Sequence, residues 1–279
     1  MSQLRSANIR RLGETIFDVL VVGGGINGAV SAACLAARGA KVALIDKSDF
    51  ASFTSQQSSN LAWGGIKYME SLEFALVRKL CESRNHLIRS YPSTVQEIRF
   101  LAAHPRGFRH GLWKLVLGAW LYWLIGNFFT KAPRLLLRGA MQREEPVIDL
   151  EVSDGGFEYS DAYLHDNDAR FVFNFVRSAL NYGCVAANYV ASMGSAFHAG
   201  AGVDDGAGAG ASSGGNTGLW VTRARDVAPG GGGGEEFAIR SRVIVNACGP
   251  YVDSMNELAG QTTQHHHVFS KGIHLIVDR

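Results

Sequence analysis

The chain predicts an α/β fold organised on a Rossmann-like βαβ unit, and three observations carry that expectation. An apolar run, Phe17–Val22, leads into a glycine cluster of Gly23, Gly24, Gly25 and Gly28. Small apolar residues then recur at helical spacing (Ala29, Ala32, Ala33, Ala36, Ala37) up to Gly39. A second apolar run, Val42–Ile45, ends on an acid, Asp46. Strand, tight turn, helix and strand in that order make a unit that binds a dinucleotide.

Each part of the unit has a chemical reason. Gly23 lets the strand turn sharply into the helix, and Gly25, without a side chain, leaves a pyrophosphate room to approach the backbone. Gly28 and the alanines let the helix sit close to the sheet. The first N–H groups of the helix, at Ile26 and Asn27, and its dipole then face the two phosphates. Asp46 lies about 20 residues further on, where a carboxylate accepts hydrogen bonds from ribose hydroxyls, with Lys47 beside it. The unit alone does not distinguish NAD from FAD. A Gly-rich turn in an ordinary α/β protein is the competing reading, and it leaves the register of three glycines and an acid unexplained.

Length and composition set the bounds. A chain of 279 residues makes one large or two modest domains, and at 47% hydrophobic it can bury a real core. A net charge of +2 singles out no partner, and nucleic acid is not indicated. Four scattered cysteines (Cys34, Cys81, Cys184, Cys248) form no CxxC pair, which fits reduced thiols in a cytosolic setting. Residues 1–16 are polar and basic without the apolar stretch of a secretory signal, and predict a disordered or surface-lying arm.

After Asp46 the chain is rich in Ser, Thr, Gln and Asn, and then carries Trp63-Gly64-Gly65. Thr54, Ser55, Ser58 and Ser59 offer hydroxyls to phosphate and sugar oxygens, and Gly64-Gly65 can lie against a flat ring. An exposed polar loop is the alternative. Leu72, Ala75, Leu76, Leu80 and Leu87 predict a helix over 72–90, stopped by Tyr91-Pro92. Gln96–Ala103 reads as a strand. The apolar run Leu115–Phe129 has basic flanks, Arg106, Arg109, His110 and Lys114 before it and Lys131, Arg134 and Arg138 after. It is shorter than the ~20 residues of a spanning helix, while Trp113, Trp120, Tyr122 and Trp123 suit a membrane interface. Two readings stand side by side: an interfacial helix within 108–130, and a buried helix of an inserted domain.

Glu158–Leu164 reads as a strand. Asp168–Tyr182 reads as a helix, with Phe171, Val172, Phe175, Val176 and Ala179 as its apolar positions and Gly183 as its cap. Cys184–Ala191 predicts a strand returning to the dinucleotide unit. Residues 199–218 and 229–234 are Gly-rich and of low complexity, and bracket the short strand Leu219–Arg225 as long loops of a hairpin. Arg242–Cys248 is a further strand, after which the small residues around Ala247 and Gly249 let backbone approach a cofactor. Val252–Ala259 is the helix that follows. His265–His267 stand in a row without a Cys or His partner at zinc spacing, and no metal is expected.

Five of these segments, in order from Phe17 to Val277, resemble the FAD-dependent glycerol-3-phosphate dehydrogenase family of the D-amino-acid-oxidase-like flavoproteins. Beside the βαβ unit, DFASFTSQQSSNLAWGGIKYMES (Asp49–Ser71) resembles the family's TSS-type run and HGGLRYLE. GFEYSDAYLHDNDARFV (Gly156–Val172) is similar to GFEYSD…DDARLV, VNACGPYVD (Val245–Asp253) to VNATGPWV, and SKGIHLIV (Ser270–Val277) to KGSHIVV. The departures are Trp63 where the family has His, Lys67 where it has Arg, and Asn60 where it has Lys. An ammonium lacks the bidentate fork of a guanidinium.

The resemblance implies FAD as cofactor, in a Rossmann-like FAD-binding domain of the GR2 type with an inserted α+β substrate or cap domain. On that reading residues 1–16 are an arm. Residues 17–90 and 165–260 form the FAD-binding domain, with the Gly-rich insert at 199–234. Residues 91–164 and 261–279 form the cap/substrate domain, C-terminally incomplete because the family is longer. It places the Val190 backbone against adenine and Trp63-Gly64-Gly65 near the flavin. The implied reaction oxidises sn-glycerol 3-phosphate to dihydroxyacetone phosphate. A hydride leaves C2 for flavin N5, a base takes the hydroxyl proton, and a quinone receives the electrons. Lys67 and Lys271 are the candidate cations for the phosphate, Tyr68 a hydroxyl donor and His274 the candidate base. Plainer readings are a solvated charge for Lys67, a flavin contact for Lys271 and a backbone-bonded strand residue for His274. A cytoplasmic protein, or one peripheral on the inner face of a membrane, is implied, and a homodimer is compatible. The rivals are an FAD enzyme for another 2-hydroxy or amino acid, which Trp63 supports, and a non-catalytic FAD-binding fragment.

Overall fold

The computed structural model describes residues 3–199, 218–229 and 234–268. In chain order the elements are α1 (Gln3–Glu14), β1 (Ile16–Val22), α2 (Ile26–Ala37), β2 (Val42–Ile45), β3 (Leu61–Ala62), α3 (Phe74–Ser90), β4 (Val95–Pro105), α4 (Leu112–Ile125), β5 (Arg134–Leu137), α5 (Arg138–Glu144), β6 (Ser153–Leu164), α6 (Asp168–Asn181), β7 (Val185–Ala187), β8 (Val190–His198), β9 (Leu219–Asp226), β10 (Glu236–Asn246) and α7 (Val252–Leu258). They form two compact units, Met1–Ser58 with Asp168–Arg279, and Ser59–Asn167.

Unit 1 carries a six-stranded sheet in the order β7-β2-β1-β10-β9-β8. Strands β7, β2, β1 and β10 run parallel, while β9 and β8 are added antiparallel. Strands β2 and β7 are apolar and buried throughout, and β1 is apolar but for Asp18, because both faces of this part of the sheet are covered. Val21, Val42, Leu44 and Ala186 pack with the alanines of α2 and with Val172 and Val176 of α6. Their neighbours Leu20, Val22, Ala43, Ile45 and Val185 point the other way and pack with Leu12 of α1 and Met255 of α7. Alternation of period two thus splits each apolar run between two cores. The alanine stripe has no bulk to hold α2 away from β1 or α6.

Unit 2 is built on an antiparallel sheet in which β6 pairs with β4 along its length and with β5 and β3 over shorter stretches. Helices α3 and α4 pack on β6. Val77 and Cys81 of α3 meet Tyr122 of α4, with Ile125 and Tyr159 against them.

Three expectations change. The arm over 1–16 is helix α1, packed on β7 and β10, with Leu12 and Asn8 buried and the Asn8 amide donating to the Ala186 carbonyl at 2.9 Å. Leu12 and Asn8 lie four apart on one helical face, and one fully buried apolar side chain, with Ile9 half-buried beside it, is too little periodicity to read in a basic stretch. The strand expected over Cys184–Ala191 is two, β7 and β8. The chain breaks at Tyr189, at φ 54, where Tyr189 and Val190 donate to the carbonyls of Ser48 and Asp46. Helix α3, expected in the FAD-binding domain, lies in unit 2 because its buried face belongs to the Tyr122 core.

Helix α4 answers the choice between interfacial and buried helix with a division between its faces. Ala119 and Tyr122 are buried, while Trp113 is 67% and Leu117 62% exposed, and Leu124 and Phe128 are exposed as well. No described helix is long and apolar enough to cross a membrane.

Helix α1 is fastened by Arg5. Its guanidinium donates to both Asp226 oxygens, at 2.6 and 3.0 Å, and to the carbonyls of Asn188 at 3.1 Å and Tyr189 at 3.3 Å. Hydrogen bonding to Arg5 holds the Asp226 carboxyl below its ordinary range in spite of burial. Arg5→Ala is expected to lower stability by about 2 kcal/mol, measured by urea denaturation. A carboxyl depressed in the folded state contributes stability that is complete above its unfolded value of about 3.9 and is lost as pH falls through the folded value. The gap between wild type and Arg5→Ala should therefore narrow as pH falls below about 4, leaving the part due to the two carbonyl bonds.

Candidate functional site

A cleft of about 470 Å³ opens in unit 1 at the carboxyl ends of β1, β2 and β10, where Val22, Asp46 and Ala247 line it. This is where an open α/β sheet takes its ligand.

The glycine turn forms its floor. Gly23 has φ +108, and a Cβ there would stand 2.4 Å from the Ala247 carbonyl oxygen. A Cβ on Gly28 would fall 1.8 Å from the Gly23 carbonyl oxygen, so α2 approaches the turn as closely as backbone allows. Gly25 and the exposed Ile26 and Asn27 line the cleft. Asp46 closes the turn: its carboxylate accepts from Gly24 N–H at 2.6 Å and from Ser48 N–H at 2.8 Å. Burial pushes the Asp46 carboxyl up, and the two backbone donors and Lys47 oppose that. The residue expected only to meet ribose is thus also the staple of the loop, with lone pairs remaining on both oxygens.

Lys47, Thr54, Ser55, Val190 and Gly249 line the same cleft. Ser55 Oγ accepts from Ile26 N–H at 3.0 Å, which leaves its proton free to be donated. The Val190 side chain is buried in the core below. Five further expected residues are not among those that line this cleft. Ser58 donates its hydroxyl proton to the Asp168 carboxylate, and Ser59, Trp63, Gly64 and Gly65 lie in unit 2.

Sequence reasoning passed over Phe53 and Tyr251, which line the cleft and stand edge to face at 5.3 Å. Tyr251 follows Gly249-Pro250 and occupies the aromatic position of a matched motif, a signal available in the sequence. Phe53, inside a polar loop, had none.

In unit 2 the Gly64-Gly65 turn rests on a buried polar cluster. Arg84 is 2% exposed and Asp161 wholly buried, and they pair at 2.9 Å. The same Asp161 oxygen accepts from Gly64 N–H and Tyr122 Oη, each at 2.9 Å, and Arg84 also donates to Tyr122 Oη at 2.9 Å. A Cβ on Gly64 would fall 2.0 Å from Tyr122 Oη, and Gly65 has φ +83, so packing alone demands both glycines. Burial works against the Arg84 charge, but Tyr122 and Asp161 outweigh it and keep the guanidinium protonated. Burial first, then the Asp161 charge, pushes the Tyr159 hydroxyl up to about 12. Lys67 and Tyr68 follow on an exposed 3-10 turn, Ile66–Met69, with the Trp63 and Tyr68 rings 5.9 Å apart. Lys271 and His274 lie outside the described residues.

A family model described as FAD dependent oxidoreductase matches residues 18–279. The chain belongs to that family.

Among similar proteins, a glycerol-3-phosphate dehydrogenase of Mycobacterium leprae is 32% identical over 285 residues, covering 99% of this chain and 44% of its own length. A D-erythritol 1-phosphate dehydrogenase of Brucella abortus is 34% identical over 263 residues, covering 94% of this chain and 47% of its own length. The chain therefore spans less than half the length of these curated relatives. The solved structure of a Bacillus halodurans glycerol-3-phosphate dehydrogenase complexed with FAD matches with a TM-score of 0.60 and 23% identity, over 91% of this chain and 38% of that one.

The cleft of this member of the FAD dependent oxidoreductase family fits the cofactor. A floor that no Cβ could enter, a helix N-terminus beside it and an acid at the end of β2 are what a dinucleotide's phosphates and ribose require. The residues that would hold it are Gly23, Gly25, Ile26 and Asn27, with Asp46, Lys47 and Ser55.

Gly28→Ala is expected to cost about 3 kcal/mol and to strip visible flavin absorbance from the purified protein. Gly13→Ala, with nothing within 4 Å of its Cβ, should be neutral or stabilising. In unit 2, Arg84→Met leaves Asp161 buried without its cation and should cost about 3–5 kcal/mol, read by urea denaturation followed through tryptophan fluorescence.

Proposed function

We propose that the chain acts in the oxidation of sn-glycerol 3-phosphate to dihydroxyacetone phosphate. The observation that carries this reading is the 32% identity to the Mycobacterium leprae glycerol-3-phosphate dehydrogenase along 99% of the chain, together with a dinucleotide cleft of matching chemistry. FAD, when bound, supplies the acceptor for the hydride equivalent from C2. The chain's own residues bind and orient. The glycine turn and the start of α2 receive the phosphates, and Asp46 offers its remaining lone pairs to ribose. Trp63, Gly64 and Gly65 belong to the flavin side on the strength of the motif they match. Lys67, with Tyr68 beside it, presents a cation and a hydroxyl to the substrate phosphate. Lys271 is a second phosphate candidate and His274 the candidate acceptor of the C2 hydroxyl proton, both by resemblance.

A second polyol phosphate is favoured by a specific observation, the 34% identity to a D-erythritol 1-phosphate dehydrogenase. Both substrates pair a phosphate dianion with a secondary alcohol, so Lys67 serves either. The flanking Trp63 is the side chain through which the two would be told apart. Anaerobic titration of the flavin absorbance separates the readings. Glycerol 3-phosphate is expected to bleach it, erythritol phosphate to bleach it more weakly, and D-amino acids to leave it unchanged. Bound flavin that none of them bleaches would instead mean a non-catalytic FAD-binding chain. Lys67→Met should raise KM roughly ten- to hundredfold, the loss of one charged hydrogen bond, with Lys67→Arg close to wild type.

The electron acceptor we propose is a quinone, reached at a membrane surface. Trp113, Leu117, Leu124 and Phe128 stand exposed on or just after α4, with Arg109, Lys114 and Lys131 exposed nearby. An apolar face with basic flanks suits a peripheral position on an anionic leaflet. Vesicles containing anionic lipid should sediment the protein, and Trp113→Glu with Leu117→Glu should release it. Reduction of a short-chain quinone at a rate well above peroxide formation would support quinone over oxygen.

A further inference from the structure

Lys47 is the one Lys or Arg among the described residues that line the cleft of unit 1. Its ammonium lies 3.4 Å from the ring centroid of Tyr251 and 5.3 Å from that of Phe53. The two rings come from different walls, Phe53 from the loop after β2 and Tyr251 from the turn after β10. They meet edge to face, so each supports the other. Phe53 holds this place at φ 71, a left-handed conformation costly for a bulky residue and kept only where its surroundings fix it. The acid of the cleft, Asp46, is bonded to Gly24 and Ser48. Among the described residues, a cofactor with two phosphates therefore meets one Lys or Arg side chain here, with His267 also on the lining. A lysine left to itself spreads its charge over many rotamers in water, and an aromatic face confines it.

We propose that Tyr251 and Phe53 set the affinity of this chain for FAD as positioning residues. They hold the Lys47 ammonium inside the cleft, where its charge is available to the cofactor's phosphates. This rests on the FAD-binding part of the function proposed above and not on the identity of the polyol.

The test is titration of FAD with the 279-residue chain, followed by flavin fluorescence. Tyr251→Leu should weaken binding about five- to tenfold, while Tyr251→Phe, which keeps the ring, stays within about twofold. Lys47→Met should weaken it about tenfold and flatten its dependence on salt. Because the ring acts through the ammonium, the double variant Tyr251→Leu/Lys47→Met should bind no more weakly than Lys47→Met alone. Should Tyr251→Leu fail to fold, Phe53→Leu carries the same comparison. A ring variant that binds FAD as wild type does, or single losses that multiply in the double variant, overturns the proposal while leaving the oxidoreductase reading intact. A wild-type chain that binds no FAD overturns both.

Discussion

Asp46 is the point at which unit 1 is tied together. Its carboxylate takes the N–H of Gly24 and of Ser48, its own N–H goes to Ala187, and its carbonyl takes the N–H of Val190. Four segments meet on one residue: the glycine turn, the loop after β2, the end of β7 and the start of β8. The carboxylate lies where water is scarce, and its charge is tolerated because backbone donors replace the water it has lost. The floor of the cleft and the wall carrying Val190 thus keep their spacing through a single residue, the floor by its side chain and the wall by its backbone. The helix N-terminus at Ile26 is fixed in turn by Ser55, so the donors that would meet phosphate are ordered before any ligand arrives.

Unit 2 shows a different economy. Its sheet and helices enclose an ion pair with no access to water, and the Gly64 N–H is one of the donors that satisfies it. Such a pair adds little net stability over an apolar core but is intolerant of losing one member. It specifies the geometry of the Gly64-Gly65 turn more than it strengthens the fold. The motif GFEYSD contributes Asp161 to this cluster and Glu158 to a surface pair with Arg99 and Arg134. These two carboxylates thus have structural partners before any chemistry is invoked.

Much of unit 1 was legible because its signals are local and redundant. The βαβ unit combines an apolar run, fixed glycine offsets and a terminal acid, and β1, α2 and β2 fall within a residue or two of where the pattern puts them. Helix α6 was equally clear from its apolar spacing and Gly183. Less was legible where one residue carries the information. Helix α1 rests on Leu12, Asn8 and Arg5, and the hydrogen-bond partners of Asn8 and Arg5 lie more than 170 residues away. The Asn188-Tyr189 break between β7 and β8 depends on backbone groups of Asp46 and Ser48, which no local pattern announces. In the site, the glycines and Asp46 were legible because their chemistry is set by backbone geometry. The pairing of Lys47 with Phe53 and Tyr251 was not, because it joins side chains brought together only by the sheet order.

That sheet order has a consequence for how the chain is made. Strand β1 needs β10 on one side and β2 on the other, and β10 is synthesised more than 210 residues after β1 begins. Unit 2, by contrast, is one uninterrupted stretch, Ser59–Asn167. On the ribosome it can finish its sheet while β1 still presents an open, apolar edge, the kind of surface that recruits other strands. Strand β1, translated before unit 2, is therefore completed after it.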